Sequence, residues 1–142
     1  MDARLLDRLR TAASAILRDS PVLVAYAHGS RVAGRPRPKS DLDVGYYLRD
    51  YRRRDTLPLR EEAGLASALA DAVGVDVDLR NLAEAPLDIR GRVLEDGVRI
   101  YSANEPERVA LECYILAHYH DYKDVFAEMH ALRLRRLAER GR

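Results

Sequence analysis

Residues 27–48 read AHGSRVAGRPRPKSDLDVGYYL. The stretch is bounded by two apolar runs. VLVAYA at residues 22–27 leads into His28-Gly29-Ser30, and DLDVGYYL at residues 41–48 follows ten residues after Ser30. The first run suits a buried strand. In the second, Leu42, Val44, Tyr46 and Leu48 point to one face of a strand, and Asp41, Asp43, Gly45 and Tyr47 point to the other. Between them lies a Pro- and Gly-rich connection. A glycine closing a strand lets backbone approach a ligand closely, because no Cβ stands in the way. Ser30 adds an amide N–H and a hydroxyl, both suited to phosphate oxygens. Asp41 and Asp43, two residues apart, place two hard oxygen ligands on one face. Such a pair suits Mg²⁺, which binds through one or two carboxylates plus substrate phosphates. Gly45, next on that face, is expected to leave room beside the site.

Working outward, residues 2–19 carry apolar side chains at helical spacing, and Pro21 ends that pattern. Residues 58–73 predict a helix with Pro58 in its first turn and Gly74 past its end. Residues 75–82 alternate as a strand does, with Asp76, Asp78 and Arg80 sharing a face. A third carboxylate is expected from this strand, and the alternation alone admits Asp76 or Asp78. Residues 86–96 predict a short helix closed by Gly97, and residues 98–102 a last strand. Asn104 suits a helix cap for residues 105–139, and that length predicts a break near His120–Asp124. The expected order is α-β-β-α-β-α-β-α-α: one α/β unit spanning residues 1–142, with residues 105–142 as a helical arm.

The bulk numbers exclude several classes. With 24 basic and 23 acidic residues in 142, the net charge of +1 argues against a dedicated polyanion binder, and no direct nucleic-acid binding is expected. The arginine clusters at residues 49–54 and 133–142 are read as solvated faces. No apolar run approaches the ~20 residues of a membrane helix, and no apolar signal core opens the chain, so a cytoplasmic protein is expected. Cys113, the only cysteine, is read as a small core residue. His118 and His120 point to different faces of a helix and are read as surface or interface residues. No phosphate-binding P-loop and no dinucleotide fingerprint is present.

The stretch at residues 27–48 resembles the nucleotidyltransferase signature of the DNA polymerase β superfamily, and is most similar to the minimal nucleotidyltransferases (MNT) paired with HEPN toxins. The likeness continues through VDVDLRNLAEAP (residues 75–86), RGRVLEDGVRIYS (residues 90–102) and the C-terminal YHDYKDVFAEMHALRLRRL (residues 119–137). It implies a small mixed sheet of about four strands with flanking helices. It selects Asp78 over Asp76 as third carboxylate. It also implies Mg²⁺ held by Asp41, Asp43 and Asp78, ATP phosphates met by Gly29, Ser30 and Arg31, and transfer of AMP to a tyrosine hydroxyl of a HEPN ribonuclease, for which this chain is the antitoxin. His28 departs from the pattern, standing where an aromatic residue often precedes Gly-Ser. Ala33 departs from it too, standing where many members carry Arg or Lys. The remaining loop cations Arg31, Arg35, Arg37 and Lys39 are candidates to replace that contact. Two other readings stay open: an antitoxin that only binds, and transfer to an aminoglycoside-like small molecule. A homo- or hetero-oligomer fits either antitoxin reading.

Overall fold

Strand β1 (Val22–His28) lies at the centre of a four-stranded sheet, antiparallel to β2 (Leu42–Leu48) on one side and to β4 (Val98–Ser102) on the other. β2 in turn pairs in parallel with β3 (Val77–Asn81), giving the order β3-β2-β1-β4. A parallel pair needs a crossover, and α2 (Leu59–Val73) supplies it. The computed structural model describes residues 1–34 and 41–141. The loop cations Arg35, Arg37 and Lys39 lie outside those residues, as does Arg142.

The alternation along the strands sends two sets of side chains to two cores. On one face Ala25, Ala27, Val44, Tyr46 and Leu79 pack against Leu9, Ala13 and Leu17 of α1 (Ala3–Leu17) and Leu69 and Val73 of α2. On the other, Val24, Tyr26 and Tyr47 pack against Val93 of α3 (Leu87–Asp96) and Leu111 and Ile115 of α4 (Glu105–Arg140). The result is helices on both faces of a mixed sheet, as expected. Caps set the boundaries: the Asp2 carboxylate accepts from the Arg4 amide at 3.0 Å, and the Asn104 side chain accepts from the Glu107 amide at 3.0 Å. The Tyr26 hydroxyl donates to Glu112 at 2.7 Å, and so ties α4 to the central strand.

Four expectations are corrected. α4 runs unbroken for 36 residues, about 54 Å at 1.5 Å per residue, so there is one C-terminal helix and not two. The segment His120–Asp124 holds neither Gly nor Pro, and only length suggested a break there. Cys113 is exposed, because α4 buries the stripe Leu111, Ile115 and Tyr119 and Cys113 lies two residues off it. Gly45 leaves no open room. A Cβ there would meet Leu82 at 2.7 Å, because β3 ends at Asn81 and a one-turn 3₁₀ segment, Leu82–Glu84, folds back over the sheet. Asp41 stands just ahead of β2, not within it, and is exposed.

Beyond Tyr119 every described residue of α4 is exposed, including Tyr122, Phe126 and Met129, which continue the buried stripe past the body. His118 and His120 are exposed as expected. No described helix is long and apolar enough to cross a membrane.

Candidate active site

The register of the sheet builds the site. His28 of β1 sits opposite Asp43 of β2, and Asp43 sits opposite Asp78 of β3. Paired residues on neighbouring strands project from the same face, so the three side chains form a row across the sheet. The row stands at the end of that face, beyond the apolar positions buried by α3 and α4. Asp76 is exposed and precedes β3; its carbonyl accepts from the Leu42 amide at 2.8 Å. Register therefore sets Asp78 beside Asp43, and places Asp76 one residue before the first pair, Leu42 and Val77.

Gly29 follows His28 with φ +86°, a conformation that side chains with a Cβ rarely adopt. A Cβ at Gly29 would lie 2.2 Å from Oδ2 of Asp43. The carboxylate thus occupies the space that only glycine leaves open. The chain then turns, with the Ala33 amide donating to the Gly29 carbonyl at 3.1 Å. Ser30 is exposed on this turn and Arg31 is half-buried.

Electrostatics follow from the crowding. Burial raises the pKa of Asp43 above the ordinary carboxylate value; His28 opposes the rise, and the negative charges of Asp78 and Asp41 add to it. Burial lowers the pKa of His28, against the pull of Asp43 and Asp78. Asp78 is paired at 3.1 Å with Arg80, on the same strand face two residues on. That pair is well exposed and worth little in stability. Among the described residues, no group of three or more His, Cys, Asp and Glu side chains forms a ready-made metal cage. The donor set nevertheless fits Mg²⁺. It offers hard carboxylate oxygens on an open face, with repulsion at Asp43 that a cation relieves, and Mg²⁺ takes its remaining ligands from water and phosphate.

Two adjoining clefts meet at His28 and Ile89. One, of about 740 Å³, is lined by His28, Gly29, Ser30, Val32, Ala33 and Arg92; the other, of about 730 Å³, by Glu62, Asp78, Arg80 and Pro86. Both have the size of a small-ligand site. Sequence reasoning missed Arg80 as the partner of Asp78, although its i+2 spacing on a strand was a visible signal. It also missed Ile89 and Arg92, for which no local signal exists, because only the packing of α3 against the sheet brings them here.

The family described as polymerase beta, nucleotidyltransferase matches residues 12–106. A search of curated proteins gives no match. Among solved structures, a chain from a toxin–antitoxin crystal structure with AMP-PNP is 24% identical, with 87% of this chain and 94% of that chain covered and a TM-score of 0.64. A chain from the complex of tri-AMPylated Shewanella oneidensis HEPN toxin with MNT antitoxin is 22% identical, with 89% and 94% covered and a TM-score of 0.62. The family match takes in all four strands and the whole His28–Asp43–Asp78 row. By that match the chain belongs to the polymerase beta nucleotidyltransferase family.

Proposed function

We propose that this protein transfers AMP from ATP to a tyrosine hydroxyl of a HEPN-type ribonuclease toxin, and acts as its antitoxin. The observation that carries the reading is the placement of Asp78 in register with Asp43, whose carboxylate leans over the Gly29 backbone. The structural neighbours support the donor and the acceptor class: one was crystallised with AMP-PNP, and another holds a HEPN toxin that is tri-AMPylated.

In this reading Asp41, Asp43 and Asp78 hold Mg²⁺, which when bound neutralises phosphate charge. The open backbone at Gly29, the amide and hydroxyl of Ser30, and Arg31 bind and orient the phosphates. The acceptor oxygen attacks the α-phosphorus, the bond to the β-phosphate oxygen breaks, and pyrophosphate leaves. Asp78 takes the acceptor proton.

Asp78→Ala separates transfer from mere blocking. The variant is expected to bind ATP and toxin but to mark the toxin about 10²–10⁴-fold more slowly, the range for loss of general-base action. Toxin rescue in cells, with mass spectrometry of the toxin for added AMP, reads both. Full rescue by Asp78→Ala with an unmodified toxin would establish the binding-only antitoxin instead.

The exposed stripe of the arm is where the toxin is held in this reading. Phe126→Glu and Met129→Glu, 55% and 66% exposed in the free chain, are expected to leave its melting temperature unchanged. Each is expected to weaken the toxin complex by about tenfold or more, since a charge is left facing an apolar contact. Unaltered complex formation by sedimentation would remove the arm from the interface.

A further inference from the structure

At the far end of β2 the same sheet face carries Tyr47, four residues beyond Asp43. Its side chain is 1% exposed, and its buried hydroxyl has no hydrogen-bond partner. Nε of Arg90, on α3, is likewise buried and unpartnered. Both residues line a cavity of about 210 Å³ together with Arg52, Arg54, Tyr51 and Tyr114. Buried donors are rarely left unsatisfied, so two in one cavity need an acceptor. The lining holds three guanidinium groups and no carboxylate. Two acids, Asp50 and Glu107, face the adjoining groove with Arg52 and Arg53 instead. None of Arg52, Arg54 and Arg90 forms an ion pair with a described residue.

The turn that presents two of these arginines is costly in itself. Asp50 (φ 57°) and Arg54 (φ 55°), which flank the 3₁₀ turn Tyr51–Arg53, are the only described residues other than glycine with positive φ. Such conformations persist where the surroundings impose them, and they concentrate at binding sites. Arg52 also lies 5.3 Å from the ring centre of Tyr114 and 5.9 Å from that of Tyr51. Stacking fixes a guanidinium by its faces and leaves its in-plane N–H donors for a ligand. A water molecule satisfies a hydroxyl, but three guanidinium groups around one cavity favour an anion over a neutral ligand.

We infer that this cavity is a second, anion-binding site that takes a phosphate group, either free phosphate or the phosphate of a small ester. Arginine forks match phosphate oxygens, and the Tyr47 hydroxyl supplies a further donor. The cavity is well below the volume that encloses a whole nucleotide-sized ligand, so one phosphate group is the unit it recognises. The inference does not depend on the transfer chemistry at Asp43 and Asp78.

The experiment titrates the full chain with inorganic phosphate and, separately, methyl phosphate, against chloride at matched ionic strength. It follows the Arg90 Nε–Hε resonance by NMR and the heat by calorimetry. Saturable binding that shifts Arg90 is expected. Arg52→Ala with Arg54→Ala, both on the exposed turn, should weaken it at least about tenfold, as for loss of charge-assisted hydrogen bonds. Tyr47→Phe should weaken it about threefold or more and leave the ligand-free melting temperature unchanged or higher, since an orphan hydroxyl is removed. Equal binding of both probes assigns the site to phosphate esters, and binding of phosphate alone assigns it to the free ion. Absence of saturable binding by either, or an identical response from the double arginine variant, would overturn the proposal.

Discussion

Asp43→Asn is expected to abolish nucleotidyl transfer while leaving the protein at least as stable as wild type. The two halves have one cause. Asp43 sits half-buried beside Asp78 and Asp41, and burial first, then these negative neighbours, holds its pKa above the ordinary value. A carboxyl whose pKa is raised by folding favours the folded state most at pH below its unfolded value. That contribution is lost as pH rises through the folded value, so at neutral pH the charged group disfavours the fold. Asparagine keeps the shape and removes the charge. In the proposed reading the same charge would hold Mg²⁺, and metal stabilisation of a phosphoryl transition state is worth several kcal/mol, about a thousandfold or more in rate. Transfer of label from α-³²P-ATP and thermal unfolding at pH 7 measure the two effects. Wild-type label transfer should also cease in EDTA. Transfer by Asp43→Asn within tenfold of wild type would remove Asp43 from the chemistry, and a markedly lower melting temperature would contradict the electrostatic account.

Gly29→Ala is the second large effect, and here stability and activity fall together. The Cβ would be placed 2.2 Å from Oδ2 of Asp43, on a backbone at φ +86°. The conformational strain and the crowding each cost about 1–3 kcal/mol. Relief comes from moving Asp43 or bending the turn that carries Ser30. A displacement near 1 Å of a reacting constellation costs about 10²-fold in rate. A double-mutant cycle isolates the contact. Asp43→Gly should destabilise Gly29→Ala less than additivity requires, because it removes the atom that the new Cβ meets. Strict additivity in unfolding free energy would show that the turn alone is at fault.

The centre of this site was legible because it is local. Gly29, Asp43 and the strands that bear them lie within residues 22–48, and a two-residue period fixes which face each side chain takes. The third carboxylate was legible only in part: alternation gives Asp76 and Asp78 the same face, and inter-strand register, which no local pattern contains, puts Asp78 opposite Asp43. What escaped was set by packing between distant segments. Leu82 covering Gly45, Ile89 lining both clefts and the orphan hydroxyl of Tyr47 each depend on where α3 and the turn after β3 come to rest. Cys113 was misplaced because an apolar residue in an apolar helix does not state which stripe is buried. The unbroken α4 was missed because helix length is limited by sequence signals, and none stands at residues 120–124.

The continuity of α4 joins two regimes of local stability in one helix. Around Leu111, Ile115 and Tyr119 its backbone amides are locked by the core, and they exchange with solvent only when the sheet itself opens. Residues 120–140 lack that support and rely on helix propagation and on i,i+4 ring contacts such as Tyr122–Phe126 and Phe126–His130. The arm is therefore expected to fray from its tip while the body stays closed, and hydrogen exchange should show amide protection declining beyond Tyr119. Any partner that settles on Tyr122, Phe126 and Met129 must first meet the entropy of a partly melted helix. Association is then coupled to helix completion, and the free energy of binding includes that of folding the arm.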